Sequence, residues 1–308
     1  MNHRLSLERI AKAARVIDPV FRATPQFRLE AIEEALGCAE LTLKVETINP
    51  IRSFKGRGTD FLLREMGESV PLVCASAGNF GQGLAYAGRT HGVPVTVFAA
   101  ETANPMKIER MRALGAEVKL AGQDFDAAKD AAREYAAQRR ERYVEDGREV
   151  AIAEGAGSLA VEFAAVDRYD AMLIPVGNGA LITGVGRWMK QARPEVRIVG
   201  VCAAQAPSMQ LSFARGAAIE TATAHTTADG IAVRVPVPEA VADLAGVVDE
   251  MLLVSEDSLT RAVDMFHRGA GLIAEPAGAA GLAALLEHRH QWRGARVATI
   301  LCGANVRD

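Results

Sequence analysis

One lysine stands out by its setting. In Asn49-Pro50-Ile51-Arg52-Ser53-Phe54-Lys55-Gly56-Arg57-Gly58, Lys55 follows an apolar alternating run and opens a helical pattern. An amine at a helix start faces the positive end of the macrodipole, which favours its neutral form. A neutral amine can form a Schiff base with an aldehyde cofactor. Ser53 is placed to cap that helix. Taken alone, the segment reads first as a solvated surface lysine.

Three other segments sit where an apolar run meets a helical pattern or ends. Ser76-Ala77-Gly78-Asn79-Phe80 follows Leu72–Ala75, and small residues at a helix start offer backbone N–H groups to an anion such as a carboxylate. Gly177-Asn178-Gly179-Ala180-Leu181 follows Ala171–Val176, and its glycines let the backbone approach a phosphate. It is not a Walker A loop, because no Gly-Lys-Ser/Thr follows, and it lies too far along the chain for a dinucleotide fingerprint. Cys302-Gly303-Ala304-Asn305 ends the last apolar run. Alone, Cys302 is a buried core thiol.

These turns need a frame that brings them together. Leu41, Leu43 and Val45 alternate as in a half-buried strand. Strand-like runs follow at Pro71–Cys74, Pro94–Phe98, Glu117–Leu120, Ala171–Val176, Val196–Cys202, Val247–Val254 and Val297–Cys302. Helical patterns lie between them, as at Met106–Leu114 and Asp126–Gln138, with Gly115 where the first of these should stop. The rhythm predicts an α/β fold with mainly parallel sheets, whose ligands sit beyond the carboxyl ends of the strands. Residues 69–146 read as a small α/β domain inserted into a larger one made of 1–68 and 147–308.

Composition bounds the function. The 308 residues are 49% hydrophobic and 24% charged, with a net charge of -3. No basic surface for nucleic acid or polybasic membrane arm is indicated. Cys38, Cys74, Cys202 and Cys302 are far apart, with no CxxC pair, and read as free thiols in a reducing compartment. The N-terminus reads as an amphipathic helix, not a signal peptide. Glu275 and Pro276 interrupt the apolar stretch from Gly269 to Leu286, so a buried helix is expected there and no membrane span. A cytoplasmic protein follows. The six histidines show no metal spacing.

Taken together and in this order, the segments resemble the fold-type II pyridoxal phosphate (PLP) enzymes, in the threonine/serine dehydratase and serine racemase branch, over nearly the whole chain. SFKGRG looks like the family's SFKxRG lysine motif, and SAGN matches its substrate-carboxylate loop. GNGAL stands where the family has a tetraglycine phosphate loop, and CGAN where it has S/C-G-G-N. Asp229–Val233 and Glu275–Gly278 also look like segments beside the cofactor. The resemblance implies a tryptophan synthase β-like architecture: two parallel-sheet α/β domains, with PLP in the cleft between them and a homodimer as the assembly. Lys55 would carry PLP, Phe54 would pack near the ring, and Asn79 would bond its hydroxyl. Gly177, Asn178, Gly179, Ala180 and Leu181 would hold the phosphate. Cys302 would meet the ring nitrogen, and Glu275 the ring edge. Ser76, Ala77, Gly78, Asn79 and Phe80 would line the substrate. The freed Lys55 amine would take the Cα proton.

Departures from the family pattern sharpen the expectation. Racemising relatives place a serine where Ala77 stands, so efficient racemisation is not expected. Phe80 replaces a commoner histidine. Ile51-Arg52 replaces Thr-Gly, and Arg52 could pair with a second substrate carboxylate. No acidic residue occurs in Ala203–Met209, where cation-binding relatives carry them, so no metal is expected. The chain stops just after CGAN, which by resemblance implies no regulatory domain and no feedback by isoleucine through that route. The leading function is an ammonia-lyase releasing a 2-oxo acid from threonine, serine or a 3-hydroxy-aspartate. The alternative is a cysteine-synthase-like β-replacement or γ-type reaction in a specialised pathway. A non-catalytic PLP-binding protein is a third class, opposed by the retention of Lys55, Asn79 and Cys302.

Overall fold

The computed structural model describes residues 3–165 and 168–306. Its strands are β1 (Gln26–Arg28), β2 (Glu40–Val45), β3 (Leu72–Ala75), β4 (Val95–Ala99), β5 (Glu117–Leu120), β6 (Arg142–Tyr143), β7 (Ala171–Pro175), β8 (Arg197–Ala203), β9 (Glu250–Val254) and β10 (Arg296–Leu301). Its helices are α1 (Leu7–Val16), α2 (Glu33–Leu36), α3 (Lys55–Glu65), α4 (Asn79–His91), α5 (Pro105–Ala113) and α6 (Phe125–Arg139). The second half of the chain adds α7 (Val150–Ala164), α8 (Ala180–Ala192), α9 (Ser208–Arg215), α10 (Pro238–Ala242), α11 (Glu256–Ala270) and α12 (Pro276–Glu287).

Two sheets result. One has six strands in the order β1-β2-β10-β7-β8-β9, parallel except for the antiparallel edge β1. The other has four parallel strands, β5-β4-β3-β6, drawn from residues 72–143. Parallel strands need crossover helices, and those helices cover both faces. One apolar cluster joins the six-stranded sheet to α11 and α12, and a second joins its other face to α7 and α8. The cluster on one face of the four-stranded sheet continues into Leu5 and Ile17 near the N-terminus and Phe61 of α3.

Coverage on both faces changes one expectation. β2 is not half-buried: its polar positions Thr42 and Lys44 are only 6% and 2% exposed. One face of β2 packs through Leu41, Leu43 and Val45 into the cluster with α11 and α12, and on the other Lys44 reaches Glu162 of α7, so neither face is open to water. The Lys44 amine is satisfied by Glu162 Oε2 at 2.7 Å and the Thr24 carbonyl at 2.9 Å. The N-terminal amphipathic helix is α1, capped by Ser6, whose hydroxyl accepts from the Arg9 N–H. The apolar stretch before Leu286 forms α12, buried from Ala277 to Leu285. Among the described residues, no helix is long and apolar enough to cross a membrane. All four cysteines are buried and free.

Two helices of the large sheet approach unusually closely. A Cβ on Gly157 of α7 would come within 2.8 Å of the Gly184 carbonyl oxygen of α8. This contact seats α8 tightly, and the first residues of α8 form one wall of the site below.

Candidate active site

β2 runs out at Val45, and the chain turns back through Asn49 to start α3. The Asn49 amide donates to the carbonyls of Glu46 (2.8 Å) and Ser53 (3.1 Å), and its Oδ1 accepts from the N–H groups of Ile51 and Ser53. Phe54 N–H donates to the Cys302 carbonyl at 3.1 Å, tying the turn to the end of β10. Ser53 is not the cap residue itself. Phe54 holds that position, and the Ser53 hydroxyl accepts instead from the Lys55 N–H at 3.3 Å.

One turn of α3 faces two ways. Arg57 is fully buried beneath the helix, with Nε 2.7 Å from Glu46 Oε2 and Nη1 2.9 Å from Glu162 Oε1. Burial opposes the charge on Glu162, but Arg57 and Lys44 outweigh it and hold its carboxyl below the usual range. Lys55 points away from this network into a cavity. Its Nζ lies 2.5 Å from Asp146 Oδ2, 4.8 Å from the centre of the Phe54 ring and 6.0 Å from that of Phe80. The other Asp146 oxygen, Oδ1, is buried and has no hydrogen-bond partner among the described residues.

The cavity, of about 530 Å³, lies at the carboxyl ends of β3, β7 and β10. Ser76, Ala77, Gly78, Asn79 and Phe80 line it from the start of α4. The Ser76 hydroxyl shapes that turn by accepting from the N–H groups of Gly78 (3.2 Å) and Gly81 (2.9 Å). Gly177, Asn178, Gly179, Ala180 and Leu181 line it from the start of α8. Gly179 sits there at φ 90°, a left-handed conformation that suits glycine. A Cβ on Gly177 would come within 2.5 Å of the Gly230 carbonyl oxygen, so this loop and the Asp229–Val233 wall touch backbone to backbone.

The third wall is polar, and its side chains bond one another. Asn79 Nδ2 donates to Glu275 Oε1 at 2.5 Å, and Asn79 Oδ1 accepts from Asn305 Nδ2 at 2.7 Å. Asn305 N–H donates to Glu275 Oε2 at 3.1 Å. Burial pushes the Glu275 carboxyl up to about 7, with Asp229 adding to the effect and Lys107 and Asn79 opposing it. Burial also pushes the Cys302 thiol well above its ordinary value, so it stays protonated, with Sγ 3.9 Å from the Ala277 carbonyl.

The structure therefore gathers Lys55, Phe54, Asn79, Glu275, Cys302 and both helix-start loops around one cavity. Arg52 is not brought there. It is exposed, at φ 50°, on a turn closed by its own N–H to the Asn49 carbonyl, and it is not among the residues lining the cavity. Its expected contact with a second substrate carboxylate has no geometric basis. Two lining residues, Asp146 and Lys107, escaped the sequence reading, and a third, Asn305, was seen only within its motif and given no role. Asp146 follows β6, a strand of two residues, too short to register as a pattern. Lys107 of α5 is nearly buried and pairs with Asp229 across the cavity. Asn305, in the CGAN segment, holds Asn79 and donates to the Ile51 carbonyl at 2.8 Å.

The arrangement suits a flat aldehyde cofactor bearing a phosphate. Such a group needs an amine, an anion cradle and apolar ring walls. Lys55 would supply the amine. The start of α8, a 13-residue helix, would supply the cradle. Phe54 and the protonated Cys302 would supply ring walls.

Comparison with known proteins agrees. Residues 17–303 match a family model described as pyridoxal-phosphate dependent enzyme. An L-threonine ammonia-lyase of Thermotoga maritima is 33% identical over 98% of this chain and 76% of its own length. A catabolic L-threonine dehydratase of Staphylococcus aureus is 30% identical over 99% of this chain and 90% of its own. The structure of the processed form of threonine deaminase isoform 2 from Solanum lycopersicum superposes with a TM-score of 0.89 at 27% identity, covering 99% of this chain and 93% of that one.

Proposed function

This chain belongs to the family of pyridoxal-phosphate-dependent enzymes, in its fold-type II class, and from that premise we propose an ammonia-lyase acting on a small β-hydroxy amino acid such as threonine or serine. The products are a 2-oxo acid and ammonia. The observation that carries this reading is the placement of the Lys55 amine in one cavity with the α8 cradle and the Ser76–Asn79 turn. What favours elimination over β-replacement is that relatives matched over nearly the whole of this chain are named L-threonine ammonia-lyase and L-threonine dehydratase.

When bound, PLP supplies an aldehyde carbon for an amine and a ring that withdraws electron density from Cα. The protein's residues do the rest. Lys55 would hold the cofactor, and its amine, when free and neutral, would accept the substrate Cα proton as a general base. The N–H groups opening α8 would hold the phosphate. The turn opening α4 would orient the substrate carboxylate. Asn79, fixed by Glu275 and Asn305, would offer the second N–H of its amide to the ring hydroxyl. Ala77 carries no exchangeable proton on its side of the cavity, so the substrate is not racemised efficiently. The test is direct: purified protein with threonine and serine, assayed for 2-oxo acid and ammonia in equal amounts. Absence of both products from every small hydroxy amino acid refutes the reading.

A further inference from the structure

Lys107 sits in the first turn of α5 with its side chain 7% exposed. An ammonium this buried is strongly disfavoured unless an anion meets it. Its partner is Asp229 on the opposite wall, a carboxylate that is 59% exposed. The other carboxyl it senses, Glu275, is already bonded to Asn79 and Asn305. The Lys107 amine also stands beside the turn that opens α4, where a Cβ on Gly78 would lie 3.7 Å from Nζ. It is thus a full positive charge flanked by that turn and an exposed, displaceable carboxylate. Backbone N–H groups of the turn supply only partial charges, whereas an ammonium makes a charge-assisted bond of about twice the strength.

We propose that Lys107 is the cation that receives the carboxylate of the amino-acid substrate, and that Asp229 occupies that amine until the substrate displaces it. The proposal rests on the ammonia-lyase reading above, and makes Lys107 a determinant of specificity for free amino acids over their amides or esters. Asp229 then acts as an internal competitor: it keeps the buried amine paired while the site lacks a carboxylate.

The experiment is calorimetric titration of the holoenzyme with 3-hydroxybutyrate and with 3-hydroxybutyramide. Neither carries an amine to compete with Lys55, so turnover plays no part. The wild type should prefer the acid. Lys107→Gln should lose about tenfold or more in affinity for the acid while its affinity for the amide stays within about twofold. Lys107→Arg should keep the preference, which separates charge from folding damage. Asp229→Asn should bind the acid more tightly. An equal change for acid and amide in Lys107→Gln, no acid preference in the wild type, or weaker acid binding in Asp229→Asn overturns the proposal. Failure of the ammonia-lyase reading shows separately, as wild-type protein that prefers the acid yet releases no 2-oxo acid.

Discussion

Replacing Glu275 by glutamine should flatten the pH dependence of stability on the alkaline side. Glu275 is 3% exposed, and burial raises its carboxyl from an ordinary 4.5 to about 7 in the folded protein. Two bonds, from Asn79 Nδ2 and Asn305 N–H, favour the ionised form, but desolvation wins. A folded-state pKa above the unfolded value means that the folded state binds more protons in between. The stability linked to this carboxyl is therefore full below about 4.5 and is lost as pH rises to about 7. The displacement is worth about 3 kcal/mol, on the order of a quarter to a half of a typical domain's stability. Glutamine cannot ionise, so its protein keeps what the wild type loses. Urea unfolding of cofactor-free wild type and Glu275→Gln from pH 4.5 to 8.5 isolates the effect, because every other titration is shared. The gap between the two proteins should widen in favour of the variant by about 3 kcal/mol over that range. Two parallel curves would refute the reasoning, because the carboxyl would then ionise alike in both states.

Other perturbations follow from the same geometry. Arg57→Met leaves Glu46 buried without its cation and should cost about 3–5 kcal/mol in denaturant unfolding; adding Glu46→Gln should recover part of it. A cost under about 1 kcal/mol contradicts the dependence of the buried Glu46 charge on Arg57. If the buried, protonated Cys302 thiol is the group that would meet the ring nitrogen, as the family resemblance implies, Cys302→Asp should raise the share of transamination relative to elimination. An unchanged product ratio removes that role for the thiol. Arg52→Ala should leave kcat/KM for threonine within about twofold, since this exposed residue is not a lining residue of the cavity. A tenfold loss would place its guanidinium on the substrate after all.

Much of the frame was legible because parallel strands covered by helices read as unbroken apolar runs. The run expected at Ala171–Val176 is the strand Ala171–Pro175, and the last strand, expected at Val297–Cys302, lies at Arg296–Leu301; Glu117–Leu120, with its charged residues, was legible instead from Gly115 ending the helix before it. The edge strand β1 and the two-residue β6 left no periodic signal. Burial of Thr42 and Lys44 could not be read either. The Lys44 amine meets Thr24 and Glu162, 20 and 118 residues away, and only the fold shows that β2 has no wet face. The same division runs through the site. Lys55 and the two helix-start loops were found because their short motifs are contiguous in sequence and, taken together and in order, resemble those of a known family; each alone reads as a surface lysine or an ordinary turn. Asp146, Lys107 and Asn305 act through pairs separated by 91, 122 and 226 residues. No local pattern reports such a pairing. Arg52 shows the opposite limit. Its charge suggested a ligand, but its side chain's direction is set by a turn whose left-handed φ the residue type does not announce.

The central claim is that Lys55 holds an aldehyde cofactor and takes a proton from a β-hydroxy amino acid. The most direct measurement is the absorbance spectrum of wild type and Lys55→Ala, recorded while threonine or serine is added and 2-oxo acid is assayed in the same cuvette. The account predicts a cofactor band in the wild type that depends on Lys55, is perturbed by substrate and accompanies 2-oxo acid release, with turnover absent in the alanine variant. A wild-type spectrum indifferent to both the lysine and the amino acids, or keto-acid release that survives the loss of Lys55, would contradict it.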